Sequence, residues 1–372
     1  MKLGIITMHN VLNYGSALQA YALQRALDNI GIENEIIDYK FLKETTKDKS
    51  FRNYIELVIN FIKNAILGFP LQKKKYKFRG FYNENFKLSK IEYSPSSIKL
   101  NPPPYDIYMV GSDQVWNPKH IKGDDNFLLS FVSDDKIKIS YASSFAISEL
   151  PLDQIDMYAS NLKCFKTISV REETGKNIIE KLLNKKAFVA CDPTVLLTKE
   201  HWLAIANQST LKLPEKYILV YELNYMFDPY PDIVNIIDKV QEMLNLPVIY
   251  LDGRKEYAFR KNSKIIKSAG PSDFIKLVSE ATFVITTSFH GTVFSTLFDK
   301  PLYGVVKSRC NEDSRIISYL TQIGGEKSII SYNENIIVDN KNLLCQKASM
   351  NLLDEYRNRS LNYLKEIVGE TI

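Results

Sequence analysis

The sequence predicts an α/β protein built from two similar halves that face each other across a cleft. Short apolar runs of strand length alternate with helical patterns along the chain, which is typical of parallel sheets covered by helices. The alternation restarts after about residue 197, and 372 residues are enough for two domains. Several apolar runs end abruptly in small and polar residues, as strands do when a binding loop follows. We therefore expect ligands to bind between two doubly wound halves.

The first half opens with a strand, a turn and a helix. Residues 3–7 are predicted as the strand, and Gly31 as the residue that stops the helix. A second strand at 35–39 completes the unit, and the turn at 8–16 lies where doubly wound sheets bind ligands. That turn has no G-x-G-x-x-G pattern, which excludes the usual dinucleotide fingerprint. Further strands are predicted at 106–110, 138–142, 167–170 and 187–190, with a helix near 152–164.

The second half begins after a short hinge at 191–197, in which Pro193 stiffens a crossover and Asp192 can cap a turn. Helices are predicted to begin near Pro271 and Asn311, and a long final helix from about residue 342 can cross back to the first half. The strands of this half are predicted at 217–222, 247–250, 282–286 and 301–305. We expect an N-terminal domain at 1–191, a C-terminal domain at 192–345 and a C-terminal helix at 346–372.

Composition excludes several classes of protein. The net charge of +5 is too small and too diffuse to imply nucleic acid as a partner. The four cysteines lie far apart, without the spacing of a zinc site or a disulfide framework, which fits a reducing cytoplasm. The first apolar run is too short for a signal peptide, and no segment reaches about 18 consecutive apolar residues. We expect a cytoplasmic protein that needs no metal and no bound cofactor.

One stretch of the second half, residues 281–295, carries the strongest functional signal. The apolar run at 283–285 changes at once into small and polar residues and then into a helical pattern. A strand that runs into a helix N-terminus gathers backbone N–H groups and the positive end of a helix dipole, which favour an anion. His290 is the only ionisable side chain of the turn, and its titration range suits proton transfer. We expect an anion-binding and catalytic corner here.

Two further strand ends carry candidate binding residues. The segment 111–118 contains Asp113, Gln114 and Trp116, which suit a flat, polar ligand such as a sugar. The alternative is structural, with Asp113 capping a helix and Trp116 in the core. Arg171 also follows a predicted strand directly. It can hold a carboxylate or phosphate through two hydrogen bonds, or pair with neighbouring acids at the surface.

Two basic features remain open to two interpretations each. Arg309 and Arg315 flank a predicted helix start, where they can reach an anion in the cleft or be solvated at the surface. An apolar stripe at 51–69 is followed by the basic run 73–79. Residues 51–79 can therefore lie on an anionic membrane, or pack on the core with a charged face toward solvent.

A set of short motifs resembles the polysaccharide pyruvyl transferase family. The motifs occur in the family's order up to about residue 320, and the ordered set is specific although each motif alone is weak. The motifs are 4–10 (GIITMHN), 13–23 (NYGSALQAYAL), 110–118 (VGSDQVWNP), 141–145 (YASSF), 169–172 (SVRE), 192–194 (DPT), 288–292 (SFHGT) and 314–316 (SRI).

This resemblance implies a fold, a reaction and roles for residues. The fold would be two Rossmann-like domains facing a cleft, as in GT-B glycosyltransferases. The reaction would move the pyruvyl group of phosphoenolpyruvate, a co-substrate, onto hydroxyls of a sugar in a surface polysaccharide or lipid-linked glycan, forming a ketal. The segment at 51–79 would then bring the protein to the inner face of the membrane that carries a lipid-linked acceptor. His290 would be the acid and base. Donor-side roles would fall on Arg171, Ser288, Phe289, Gly291, Thr292 and Arg315, and acceptor-side roles on Asn13, Tyr14, Gly15, Asp113, Gln114 and Trp116.

One position departs from the family pattern. Members often carry an arginine two residues before the histidine, where this chain has Ser288. Arg309, Arg315 or Lys307 would then have to supply the missing charge. Two other hypotheses stay open. One is a GT-B-type glycosyltransferase that uses a nucleotide sugar, which needs an acid beyond the strand at 247–251 to contact the ribose. The other is a catalytically inactive glycan-binding relative.

Overall fold

The computed structural model describes residues 2–41, 68–309, 314–335 and 343–369. In this part of the chain two large parallel sheets form, one in each half of the sequence. The predicted α/β class and the two halves are therefore confirmed. Most of the predicted apolar helix at 51–69 lies outside the described residues.

The first sheet has the strand order β3-β2-β1-β4-β5, and all of its strands run parallel. A parallel ribbon of β6 and β7 continues it through single bridges from residues 139 and 143. The strands are β1 (Leu3–Ile6), β2 (Asn34–Tyr39), β3 (Leu88–Tyr93), β4 (Ile107–Val110), β5 (Ile137–Ser140), β6 (Ser169–Val170) and β7 (Phe188–Val189). The order reverses between β1 and β4, which opens a crevice at the carboxyl ends of these two strands.

The second sheet has the order β10-β9-β8-β11-β12-β13, again all parallel. Its strands are β8 (Ile218–Tyr221), β9 (Val248–Leu251), β10 (Ser263–Ile266), β11 (Phe283–Thr286), β12 (Leu302–Val306) and β13 (Ile329–Ser331). Here the order reverses between β8 and β11. Each sheet therefore has one switch point, and each switch point joins two buried central strands.

Helices connect the strands of both sheets. In chain order they are α1 (Tyr14–Asn29), α2 (Pro70–Asn85), α3 (Pro95–Leu100), α4 (Pro118–Ile121), α5 (Ile155–Leu162), α6 (Glu173–Leu183), α7 (Pro193–Leu196), α8 (Lys199–Ala206), α9 (Ile233–Leu244), α10 (Pro271–Ser279), α11 (Phe289–Leu297), α12 (Ser314–Gln322) and α13 (Met350–Gly369). The final helix was predicted from about residue 342 but begins at Met350. Residues 344–345 form a turn and residues 346–349 have no regular secondary structure.

The C-terminal helix α13 returns to the first half, as predicted. The rings of Tyr363 and Phe188 stack with 4.2 Å between centroids. The Ser360 hydroxyl accepts a hydrogen bond of 2.9 Å from the backbone N–H of Cys191. One continuous apolar cluster contains buried side chains of both sheets and of α13. The two halves therefore share a core, which restricts their relative motion.

Candidate active site

One cavity lies where the two switch points meet. Its volume is about 310 Å³, within the range of small-molecule sites. The loops that follow β1, β4, β8 and β11 all contribute to its wall, so both halves are needed to form it. The lining residues are Met8, Val11, Leu12, Asn13, Ser16, Phe41, Asp113, Gln114, His120, Leu223, Tyr225, Ser288, Phe289, His290 and Arg315.

His290 is held at the start of α11, directly after β11. Ser288 is the N-cap of this helix, and its hydroxyl accepts a hydrogen bond of 3.2 Å from the N–H of Gly291. A Cβ atom at Gly291 would lie 2.5 Å from Thr286 Oγ1, so only glycine allows this close approach of the helix to the strand end. The predicted anion-binding corner therefore has the expected strand, turn and helix N-terminus.

The N-terminus of helix α1, which belongs to the first half, also contacts the His290 ring. Asn13 is the N-cap of α1, and its side-chain oxygen accepts from the N–H of Ser16 at 3.2 Å. The ring packs so closely on Gly15 that a Cβ atom there would lie 2.0 Å from His290 Nδ1. The positive ends of two helix dipoles thus converge near the same imidazole, which favours negative charge at this point.

Asp192 links Arg171 and His290, a position that goes beyond the turn cap predicted for it from the sequence. Its Oδ2 atom lies 2.8 Å from Arg171 Nη1 and 3.3 Å from His290 Nε2. The same oxygen accepts a hydrogen bond of 3.1 Å from the Ser112 hydroxyl. Its Oδ1 atom accepts from the N–H and the hydroxyl of Thr194. Asp192 is 1% exposed, so this carboxylate is a fixed, buried counter-ion.

Arg171 is buried beside the cavity rather than solvated at the surface. Phe289 covers one face of its guanidinium, with 4.3 Å from Cζ to the ring centroid. Nε and Nη2 have no hydrogen-bond partner among the described residues, and Asp113 Oδ1 lies 3.8 Å from Nη2. These two N–H groups lie on one edge of the guanidinium, the edge that binds carboxylates and phosphates in a bidentate manner.

Both acids of the cluster are ionised at neutral pH. Burial alone would raise the pKa of Asp192, but the charges of His290 and Arg171 outweigh burial and hold it well below its ordinary value. The pKa of Asp113 is lowered in the same way, since Arg171, His290 and a hydrogen bond from Ser16 outweigh burial. Two ionised carboxylates, on Asp192 and Asp113, therefore lie within 4 Å of the Arg171 guanidinium.

Arg315 supplies a further buried cation from the start of α12. It lines the cavity together with His120, whose pKa is lowered by burial and further by the charge of Arg315, although Asp113 opposes the shift. Arg309 lies apart from the cavity lining and forms a two-pronged pair with Glu334, with distances of 2.9 and 2.7 Å. Of the two arginines near this helix, the structure therefore brings Arg315 to the cavity and leaves Arg309 at the surface.

Two residues predicted to face an acceptor lie elsewhere. Trp116 is 0% exposed, and its indole N–H donates to the backbone oxygen of Phe127, so the structural alternative for this residue holds. Tyr14 is buried against the second half, where its ring stacks on Phe274 and its hydroxyl donates to Asp252 at 2.9 Å. Thr292, which was predicted on the donor side, is fully buried, and its hydroxyl donates to the backbone oxygen of Ser288.

Asn13, Asp113 and Gln114 line the cavity from the first half, and their role toward an acceptor stays a prediction. Within the described ranges, no group of three or more His, Cys, Asp or Glu side chains could hold a metal ion. In the same ranges, no helix combines the length and hydrophobicity needed to cross a membrane.

The two sheets and the cavity between their switch points define a two-domain protein of the GT-B-like class, and solved structures agree with this. The chain is similar to MnaA of S. aureus with bound UDP, with 12% identity, a TM-score of 0.54 and coverage of 99% of this chain and 96% of that one. It is similar to UDP-N-acetylglucosamine 2-epimerase from Rickettsia bellii, with 10% identity, a TM-score of 0.52 and coverage of 100% and 96%. The UDP-GlcNAc 2-epimerase of Neisseria meningitidis gives 12% identity, a TM-score of 0.51 and coverage of 100% and 99%.

The chain belongs to the polysaccharide pyruvyl transferase family, whose profile matches residues 13–308. This confirms the resemblance carried by the ordered motifs. It is therefore a transferase of this family, and the family implies a sugar or polysaccharide substrate. Among curated proteins no significant sequence match is found. The solved structures, all well below 25% identity, support the fold alone.

Proposed function

We propose that this protein transfers the pyruvyl group of phosphoenolpyruvate onto two hydroxyls of a sugar in a polysaccharide or lipid-linked glycan. The observation that carries the proposal is the cluster around Asp192, which gathers Arg171 and His290 at a cavity between two helix N-termini. A histidine for proton transfer and a buried guanidinium with a vacant edge match the needs of a small, highly charged donor.

The donor is expected to bind by its carboxylate and its phosphate. The Nε and Nη2 edge of Arg171, which has no hydrogen-bond partner among the described residues, suits the carboxylate. Arg315 and the N-terminus of α11 suit the phosphate, since both supply positive charge at the cavity. In this arrangement Arg315 supplies the charge that Ser288 lacks, while Ser288 caps the helix that carries His290.

The reaction needs one group that gives and takes protons. Protonated His290 would give its proton to the methylene carbon of the donor, and positive charge would develop on the adjacent carbon. A sugar hydroxyl would attack that carbon and return its proton to the ring. A second hydroxyl would then displace phosphate and close the ketal, and the phosphate would leave with the proton of that hydroxyl. Asp192 would stabilise the imidazolium between these steps, since its carboxylate lies 3.3 Å from Nε2.

A lipid-linked acceptor would place the protein at the cytoplasmic face of a membrane, and residues 51–79 are our candidate contact. Within this segment α2 turns Lys74 and Lys77 inward, where they pair with Asp252 and Asp273 at 2.6 Å. Its remaining basic side chains, on Lys73, Lys75 and Arg79, are exposed. Co-sedimentation with phosphatidylglycerol vesicles tests this contact, and an absence of binding at low salt would rule it out.

A nucleotide sugar finds less support in this site. A ribose contact would need a free acid just beyond β9, and Asp252 stands at that position. Its carboxylate already binds the Tyr14 hydroxyl at 2.9 Å and Lys74 Nζ at 2.6 Å, which join the two halves. The Asp252 carboxylate therefore has a structural role and does not supply the acid that a ribose contact needs.

Ligand-induced stabilisation separates these hypotheses. Phosphoenolpyruvate should raise the melting temperature, and His290→Ala should keep this shift while it abolishes phosphate release in the presence of sugar acceptors. Stabilisation by UDP or GDP but not by phosphoenolpyruvate would instead identify a glycosyltransferase. Glycan binding without phosphate release from any acceptor would identify an inactive relative.

A further inference from the structure

The loop that follows β8 exposes an unusual set of apolar side chains at the cavity mouth. Tyr225 lines the cavity and is 50% exposed, and Met226 and Tyr230 beside it are also exposed. Leu12, an exposed apolar residue of the first half, lines the same cavity. Large apolar side chains grouped at the mouth of a polar cavity mark a binding surface.

The base of this loop is tied to the turn that carries His290. Thr287 Oγ1 accepts a hydrogen bond of 2.7 Å from the N–H of Leu223 and donates one of 2.9 Å to its carbonyl. Since Thr287 precedes the cap Ser288 directly, the loop has a fixed position relative to the proton-transfer group. Any ligand that rests on the loop is thereby placed relative to His290.

The loop is also anchored at its first residue, Glu222, and over residues 227–230. Arg254 pairs with Glu222 at 2.8 Å and with Asp228 at 2.6 Å, and its guanidinium lies 4.6 Å from the ring centroid of Tyr230. The ring of Phe227 packs on Tyr332 with centroids 5.7 Å apart. These contacts hold the loop on both sides of Tyr225, whose side chain lines the cavity. Binding of a ligand there therefore requires little further ordering of the loop.

The chemistry of the cavity fits a pyranose ring. A sugar presents an apolar C–H face, which packs on aromatic rings, and hydroxyl groups that need polar partners. Tyr225 and Leu12 supply apolar surface, while Asp113, Gln114 and Asn13 supply polar groups in the same cavity. A small, highly charged donor would leave the apolar surface unused.

We propose that the loop at 222–230 is the platform on which the acceptor sugar rests, with the ring of Tyr225 stacked against its C–H face. This inference rests on the proposed pyruvyl transfer for the choice of acceptor. It moves a principal acceptor contact from Tyr14 and Trp116 of the first half to the second half. Both halves then hold the acceptor, while the donor lies deeper beside Arg171.

Binding of simple sugars to the full-length protein tests the platform without the natural acceptor. The probes are methyl pyranosides of galactose, glucose and N-acetylmannosamine, followed by saturation-transfer difference NMR. At least one probe should bind the wild-type protein, with the strongest transfer to protons of one ring face. Tyr225→Ala should weaken this binding about tenfold, and Tyr225→Trp should retain it.

Two control variants make the result specific. Tyr76→Ala removes a tyrosine that is 79% exposed on α2, outside the cavity lining, and should leave sugar binding unchanged. His290→Ala should also bind the probe, so a failure of the proposed catalysis would not affect this readout. Equal binding by Tyr225→Ala and wild type, or binding of none of the probes to the wild-type protein, would overturn the platform. Loss of binding in Tyr76→Ala as well would do the same, because the effect would not be local.

Discussion

At the scale of single residues, Gly15 is a sharp test of the site because it fixes the position of the His290 ring. A methyl group at residue 15 would lie 2.0 Å from Nδ1, so Gly15→Ala must displace the imidazole. We expect a loss of activity of about 100-fold, since displacements of 1 Å commonly have that effect. Steady-state phosphate release from phosphoenolpyruvate measures it.

A matched glycine provides the control. Apart from its chain neighbours and the backbone of its own helix α2, no described atom lies within 4 Å of a Cβ placed at Gly80. Gly80→Ala should leave activity unchanged and stabilise the helix by up to about 1 kcal/mol. Full activity in Gly15→Ala would show that the ring position is not required for the reaction.

Asp192 allows a second prediction, on stability and pH. Asp192→Asn leaves Arg171 and His290 without their shared counter-ion, and removing one partner of a buried pair costs about 3–5 kcal/mol. Because the pKa of Asp192 is depressed in the folded protein, its stabilisation is complete above the unfolded value of about 3.9 and is lost as pH falls below it. The difference between wild type and variant should therefore be large at pH 7 and shrink below about pH 4.

Denaturant unfolding at several pH values measures this difference. The exposed Asp153 is the control, and Asp153→Asn should change the free energy of unfolding by less than about 0.5 kcal/mol. A difference between wild type and Asp192→Asn that does not depend on pH would refute the counter-ion role.

These residues also show what the sequence could predict at this scale. His290 was identifiable because a strand, a small-residue turn and a helix follow one another locally. The central role of Asp192 was not, because its partners Arg171, Ser112 and His290 lie 21, 80 and 98 positions away, and only the folded chain brings them to one carboxylate. Trp116 looked like a ligand contact by composition, whereas packing against Phe145 and Phe165 places it in the core.

At the scale of elements, helix α2 joins the two halves through its basic residues. Lys74 Nζ lies 2.6 Å from Asp252 and 4.4 Å from the ring centroid of Tyr14. Lys74→Met should therefore destabilise the protein by about 2 kcal/mol, since it leaves a partly buried carboxylate without its cation. Thermal unfolding measures the loss, and Lys75→Met, at an exposed position of the same helix, should be nearly neutral. Equal stability of the two variants would exclude a joining role for Lys74.

The strands show a clear limit of prediction from sequence. All ten predicted strands exist, with ends shifted by one or two residues, because central strands are buried apolar runs. The three strands that were missed, β3, β10 and β13, each form the edge of a sheet. An edge strand has a neighbour on one side only, so its sequence can mix polar and apolar residues and resemble a loop. Strand Leu88–Tyr93, with lysine and glutamate in its centre, is the clearest case.

At the scale of the whole molecule, the cavity depends on the relation between the halves, which the sequence does not encode locally. The strand pattern predicted two doubly wound halves, but the apposition of their switch points follows from contacts such as Tyr14 with Asp252 and Lys77 with Asp273. The shared apolar cluster then makes the cavity a fixed feature of the chain. The predicted hinge at 191–197 is also held in place. It contains the short helix α7, and the backbone of Cys191 and of Val195 forms hydrogen bonds with side chains of α13.

The C-terminal helix gives the last prediction, because it should maintain the cavity from a distance. Tyr363→Ala removes the stack on Phe188 and partly buried apolar surface, which should cost about 2 kcal/mol. Hydrogen exchange should then accelerate in α13 and in β7, which leads directly to Asp192. Affinity for phosphoenolpyruvate should fall as hydrogen exchange near Asp192 accelerates, since Arg171 depends on Asp192 for its position.

Tyr76→Ala is the matched tyrosine control, and it should change neither hydrogen exchange in these elements nor affinity for phosphoenolpyruvate. If α13 loosens while exchange near Asp192 and donor affinity stay unchanged, the helix stabilises the fold but does not support the site.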